Sequence, residues 1–566
     1  MTAFFDKHRA TLDGALDAAA TRGAWTPFTE SPSRKHHPAG ARERGRLRFE
    51  GMLGRSFPLT MPGERGRLGA EVSPYTGEPL GIDYPAIDPE TGLDALVAAA
   101  KAAQVPWQAA SIDTRVGTCL EILDRLAADV FANGYATMHT AGQAFTMAFA
   151  GSGANSLDRG LEALAYAYKA MKDVPESAQF ERSFGAGPVR LEKRYRLMPR
   201  GLAAVVACGS YPAFNAYPAI FANLATANPV VIKPQSGGIL PMAMAVEIAR
   251  EVIAEAGFDP NLVTLAADEP DAPLTKQLVA RGEVAIVDFT GSQEFGAWLE
   301  EHVRHARVYT ETSGCNAVIV DSTRDLEGTL SAIAQGVALF SGQMCTSPQN
   351  IFVPRGGVET DKGRIDAHAF AARLIETIDA LLGDPARAAA VAGAVQNPRL
   401  IATIDALAEQ VGDARVLRRH GAYAHPEFPK ARTLTPLIVA ADGADAIYRR
   451  EHFGPVGFVI EAEDRDHALA RAAEDARTCG AIASYAYTTD EEYAQRVQET
   501  FWAAGASVGI NLIGQRPMNF TAAYSDYHVT GLNPAGNACL TDLAFVADRF
   551  RIVQSKTELP PTRVES

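Results

Sequence analysis

Two side chains capable of covalent and acid–base chemistry stand 34 residues apart in this chain: Glu311 in YTETSGCNAVIVD and Cys345 in FSGQMCTSPQN. A cysteine acts as a nucleophile when it has access, a lowered pKa or a nearby base, and donors for the oxyanion it creates. Gly342 lets the backbone approach closely, and the residues after Cys345 are turn formers. Glu311 precedes a glycine-containing turn and an apolar run, which suits a general base whose pKa is raised by burial. Each has a plainer reading. Cys345 is equally a buried small hydrophobe, and Glu311 a helix cap or surface charge. Two further motifs suggest a phosphorylated ligand. VVIKPQ ends an apolar run on Lys233, which could hold a ribose hydroxyl or phosphate, or be an ordinary solvated lysine. In FTGSQEFG, Gly291 permits a tight turn and Ser292 opens a helix. A helix N-terminus offers unpaired N–H groups to a pyrophosphate, although a plain strand–helix turn has the same pattern.

These residues need elements to position them. LAAVVA (202–207), PVVIK (229–233), LVTL (262–265), VAIVDF (284–289) and AVIVD (317–321) read as five buried strands. The run 241–256 reads as a helix, with Pro241 in its first turn and Gly257 after its end. Strands alternating with helices imply parallel βαβ units, which bind ligands at the carboxyl ends of their strands. A second α/β texture spans 322–510, with helices at 326–340 and 366–382 and strands at 350–354, 456–460 and 482–488. Residues 5–22 read as an amphipathic helix, 30–70 as an irregular arm, and 91–150 as helical. Residues 180–200 read as a β-hairpin reaching out of the body, and 540–555 as a helix or loop followed by a terminal strand. The expected division is 1–70 (helix and arm), 71–311 (cofactor domain with the hairpin), 312–515 (catalytic domain) and 516–566 (C-terminal return and oligomerisation segment).

Composition narrows the function. The 566 residues suffice for two large domains or for three or four of about 150 residues each. With 53 basic and 67 acidic residues the net charge is -14, which argues against a nucleic-acid face and against anionic membranes. The cysteines, Cys119, Cys208, Cys315, Cys345, Cys479 and Cys539, include no CxxC pair and no disulfide framework, so a reducing, cytoplasmic setting is expected. The charged N-terminus is not a signal peptide pattern. No metal is called for.

The ordered motifs, with EHFGPV (Glu451 to Val456) further on, resemble the aldehyde dehydrogenase superfamily over residues 70–555. The resemblance implies an α/β fold with a Rossmann-type cofactor domain, an α/β catalytic domain and a protruding β-hairpin used for oligomerisation. It implies a homodimer or homotetramer. Cys345 would attack an aldehyde, the Cys345 N–H and a side-chain amide would hold the oxyanion, and Glu311 would activate the water that hydrolyses the thioester. Lys233 and Glu451 would hold the two cofactor riboses, Gly291 and Ser292 would face the pyrophosphate, and Phe453 would pack near the nicotinamide. The family's oxyanion asparagine lies 23 residues before the strand-end lysine, which falls here on Ser210. The amide therefore falls to Asn215, which could equally cap its helix, or more weakly to Ser210. Ser236 stands where many NAD-preferring relatives carry a glutamate, whose charge would repel a 2′-phosphate. Serine removes that repulsion, so this reading leans to NADP over NAD.

More narrowly, FFDKHRATLDGAL, the block SYPAFNAYPAIFANLATANPVVIKP and the ending YSDYHVTGLNPAGNACLTDLAFVADRFRIVQ resemble phenylacetic acid degradation proteins of the PaaN type. That resemblance implies a ring-opened, CoA-linked semialdehyde as substrate. No fused hydratase follows, so ring opening would fall to a separate protein. A CoA-acylating aldehyde dehydrogenase and a non-catalytic binding protein on the same fold are the alternatives. Retention of Glu311 favours hydrolysis over acyl transfer to CoA.

Overall fold

The structure is a computed structural model, and it describes residues 3–185, 187–514, 529–538 and 542–560. Part of the expected C-terminal segment, including Tyr524 to Tyr527 and Cys539, lies outside the described residues.

Short runs rich in Val, Ile and Ala make strands when both faces are covered, because no solvated face has to be provided. Leu202–Val206, Val230–Lys233, Val263–Leu265 and Val284–Thr290 are four such strands in a five-stranded sheet. The fifth is Arg307–Glu311, which lacks an apolar signature because its first residue is exposed and the next two are half-buried. The spatial order is Val263–Leu265, Val230–Lys233, Leu202–Val206, Val284–Thr290, Arg307–Glu311, with every pair parallel. This is the strand order 3-2-1-4-5 of a dinucleotide-binding doubly wound sheet. Helix Leu240–Glu255 packs on it through buried Met242, Val246, Ala249 and Ile253, and Gly257 follows at φ 83°.

Ala317–Val320 has the same apolar texture but joins the other sheet. There it pairs with Asn350–Pro354 and Ala483–Tyr487. The turn before it carries the chain across: the Cys315 N–H donates to Gly480 O at 2.8 Å. A Cβ on Gly314 would lie 2.1 Å from that same oxygen. The second sheet has seven strands, ordered Val416–Arg418, Leu437–Asp442, Val456–Ala462, Asn350–Pro354, Ala317–Val320, Ala483–Tyr487, Ser507–Ile510. Only the pairing of Val416–Arg418 with Leu437–Asp442 is antiparallel. Helices Leu326–Ala338 and Ala367–Leu382 cover one face, and Arg465–Cys479 and Glu491–Ala503 the other.

The hairpin begins slightly earlier than expected, as strands Ser177–Phe184 and Gly187–Pro199. Phe550–Glu558 pairs antiparallel with Gly187–Pro199 to make a three-stranded sheet. The arm at 30–70 is not wholly irregular. Its ARERGRLRFEGM segment is the helix Ala41–Met52, supported by Arg46 pairing with both Glu43 and Glu50 and by buried Phe49. Its Arg and Gly content masked the helical period. Among the described residues no helix is long and apolar enough to cross a membrane.

One buried ion pair ties the C-terminal segment to the cofactor sheet. Arg549, fully buried, donates to both oxygens of Asp288, at 2.8 and 2.6 Å, and to Asn223 Oδ1 at 2.9 Å. Its guanidinium also lies 3.9 Å from the Phe545 ring centre. Removing one partner leaves an uncompensated buried charge. Arg549→Ala is therefore expected to destabilise by about 3–5 kcal/mol, and Arg549→Ala with Asp288→Asn by less, as read from urea unfolding. Equal losses for the two variants would show that the charge pair is not the cause.

Candidate active site

Cys345 follows a short helical turn, Leu339–Gly342, that interrupts regular structure. Three successive residues there take left-handed backbone: Phe340 at φ 51°, Ser341 at 48° and Gly342 at 62°. For the two that carry side chains this conformation is costly and persists only where the surroundings enforce it. They do. Ser341 Oγ lies 3.1 Å from Ala392 O and 3.0 Å from Leu434 O. The Gln343 amide bonds to Phe340 O and Ala394 O, both at 3.0 Å, and its oxygen accepts from Gln396 N at 2.9 Å. Gly342 touches the loop Glu451–Pro455 so closely that a Cβ would lie 2.2 Å from Gly454 O.

Asn316, which no motif singles out, anchors the loop Cys345–Ser347. Its Nδ2 donates to Cys345 O at 2.8 Å and to Ser347 O at 3.0 Å. Its Oδ1 accepts from Ile482 N at 3.0 Å and Ala483 N at 3.1 Å. Gln349 does the same for the neighbouring loop, bonding to Tyr448 O, Arg450 O and His452 N. No spacing rule marks such residues. They are ordinary amides until the backbone groups around them are known.

The structure brings Cys345 and Glu311 together, with Sγ 4.0 Å from Glu311 Oε1. Glu311 ends its strand and is 1% exposed. Burial pushes the Cys345 thiol well above its ordinary value, and the Glu311 charge adds to this, while the cysteine's own N–H acts in the opposite sense. Asn215, in the first turn of helix Pro212–Ala225, is buried. Cys208, a second thiol on the cavity wall, is raised to about 11 by burial. Burial also raises Glu451 to about 7, and its carboxylate accepts from Ser313 Oγ. Phe453, beside it, is exposed.

A cavity of about 440 Å³ opens at the carboxyl ends of the first sheet. Lys233, Ser236 and Asp268 line one part, and Gly291, Ser292 and Phe295 another. Ser292 caps helix Gln293–His302 by accepting from Phe295 N, so the helix N-terminus lies at the cavity wall. Gly291 does not take left-handed backbone. Glycine is needed there because a Cβ would lie 2.5 Å from the Phe289 ring. A helix N-terminus, a strand-end lysine and this volume fit a dinucleotide.

The model described as the aldehyde dehydrogenase family matches residues 62–523. A betaine aldehyde dehydrogenase of Cereibacter sphaeroides is 30% identical over 314 residues, which cover 53% of this chain and 59% of that relative. The chain thus spans about three fifths of the first curated relatives it matches. A benzaldehyde dehydrogenase [NAD(+)] of Pseudomonas putida is 24% identical over 74% of this chain and 80% of its own. Among solved structures, an NAD-dependent aldehyde dehydrogenase from Burkholderia multivorans superposes with a TM-score of 0.95. It is 45% identical, over 99% of this chain and 100% of that one.

The loop geometry and the thiol environment each set an expected outcome. Gly342→Ala combines a steric clash with unfavourable φ, and is expected to lower stability by more than about 1 kcal/mol; an unchanged unfolding midpoint would contradict the contact. A thiol whose pKa is raised stays protonated, and hence slow, until the pH climbs past that pKa. With no dinucleotide present, iodoacetamide labelling at Cys345, measured by peptide mass spectrometry, is therefore expected to keep accelerating through about pH 9. A plateau below pH 8 would contradict it.

Proposed function

The chain belongs to the aldehyde dehydrogenase family, and from that premise we propose that it oxidises an aldehyde to a carboxylic acid with NAD(P). The observation that carries this is the approach of Cys345 Sγ to the buried Glu311 carboxylate, beside a cavity that fits a dinucleotide. In this reading the Cys345 thiolate, its proton lost to solvent, bonds to the aldehyde carbon. The Cys345 N–H and the Asn215 or Ser210 side chain face the oxyanion. The nicotinamide, when bound, supplies the acceptor for the hydride that leaves that carbon. Glu311 then removes a proton from the water that cleaves the thioester. Lys233, with Ser236 close by, holds one ribose and Glu451 the other, Gly291 and Ser292 face the pyrophosphate, and Phe453 lies near the nicotinamide.

The substrate class we propose is a ring-opened, CoA-linked semialdehyde of aerobic phenylacetate breakdown. Its support is the likeness of FFDKHRATLDGAL and the Ser210–Pro234 block to the PaaN type. The division at residues 70, 311 and 515, a homodimer or homotetramer built through Ser177–Pro199, and a cytoplasmic setting with a separate hydratase belong to the same reading. Ile552 and Val553 stand exposed on the strand that extends the hairpin sheet.

A panel of aliphatic, aromatic and CoA-linked semialdehydes, assayed with NAD or NADP and with or without free CoA, tests this. Cys345→Ala is expected to lower turnover by about a thousandfold or more. Glu311→Gln is expected to let one equivalent of reduced dinucleotide form and then stall at the thioester. Turnover surviving Cys345→Ala ends the proposal, and strict dependence on CoA moves the chain to the acylating class.

A further inference from the structure

The ribose-holding part of the cavity contains a carboxylate with no counterpart in the motifs. Asp268 follows strand Val263–Leu265 and is 3% exposed. Its Oδ1 is 2.8 Å from Lys233 Nζ and accepts from Ser236 Oγ at 2.7 Å. Its Oδ2 accepts from Leu274 N at 2.8 Å. The three residues thus form one unit at the carboxyl ends of two adjacent strands, on the wall of the cavity.

Donor counting shows what this unit recognises. A hydroxyl has one hydrogen, and that of Ser236 points to Asp268. Ser236 therefore has only lone pairs left for a ligand. An ionised carboxylate has about four acceptor positions and no donor, and three partners use Asp268 here. Lys233 has three N–H groups; Asp268 takes one and Pro234 O another. What remains is one cationic N–H beside oxygen acceptors. A vicinal diol supplies both a donor and an acceptor and matches it. A phosphate monoester, an acceptor only with a charge near -2 at neutral pH, does not. The other cation on the cavity wall, Lys276, lies over the Trp298 ring at 4.7 Å.

We infer that Asp268 sets a preference for NAD over NADP, by presenting through Ser236 and Lys233 a carboxylate that accepts from a free ribose 2′-hydroxyl and repels a 2′-phosphate. This rests on the reading that Lys233 holds the adenosine ribose. It reverses the lean to NADP drawn from Ser236 alone. Serine at that position does not leave the site without a carboxylate, because its hydroxyl is tied to an acid 32 residues on.

Titration of the full chain with NAD⁺ and with NADP⁺, by calorimetry and without aldehyde, tests the inference apart from turnover. Wild type is expected to bind NAD⁺ at least about 10-fold more tightly. Asp268→Asn keeps the side chain's size and an acceptor oxygen while removing its charge, and is expected to narrow the ratio to about 3-fold or less, mainly by tightening NADP⁺. Asp268→Ser is the second variant should the first not fold, and the wild-type ratio decides if neither does. Equal or tighter NADP⁺ binding by wild type overturns the inference, as does an unchanged ratio in a folded variant, and either leaves the dinucleotide reading standing. Failure of both dinucleotides to bind removes the ribose assignment and the inference with it.

Discussion

The approach of Gly342 to Gly454 is the contact on which the site depends. Backbone meets backbone there, with no room for a side chain on Gly342. It fixes the depth at which the Cys345 loop sits against the loop that carries Glu451 and Phe453. Ser341 and Gln343 hold the left-handed path from the other side. The conformational cost of that path is met by hydrogen bonds that would otherwise be left unpaired in the interior. Cys345 is thus held by the neighbours of its loop on both flanks, not by the regularity of a helix or strand.

Asn316 has a complementary role. It sits just past the crossing from the cofactor sheet to the catalytic sheet, five residues beyond Glu311. One amide side chain therefore links the Cys345 carbonyl to the strand Ala483–Tyr487. Glu311 ends a strand of the first sheet and Cys345 lies in a loop before a strand of the second, and the segment Glu311–Asn316 spans the two. Tight glycine contact at Gly314 and the Cys315–Gly480 hydrogen bond leave that segment little freedom.

Much of the fold was legible because it is written in apolar runs. Four of the five strands of the first sheet, the central strands of the second and the helices behind them follow from burial on two faces. Arg307–Glu311 was not legible, since an edge strand with exposed residues carries no such run. Ala317–Val320 had the right texture but the wrong sheet, because texture does not say which side of a turn a strand will join. Helix Ala41–Met52 was hidden by arginine and glycine. In the site, Cys345 and Glu311 stood out only through the family resemblance, since each alone has a plainer reading. Asn316, Gln349 and Asp268 did not, for a shared reason: each matters through groups far away in sequence, and an amide or acid next to an unknown partner has no signature. Ser236 shows the hazard in reading a position alone. Its meaning changes once Asp268 is found behind it.

The pairing of Arg549 with Asp288 also bears on how the chain is made. The partners are 261 residues apart, and Asp288 lies in the middle of the cofactor sheet's fourth strand. At synthesis rates of about 5–20 residues per second, Asp288 waits roughly 13 to 50 seconds for its counter-charge. During that interval the first sheet has its strands but not the cation that pairs with its buried Asp288. The first half of the chain therefore cannot reach its final form as an independent vectorial unit. Its completion is deferred until nearly all of the described chain has been synthesised, and the two halves mature together.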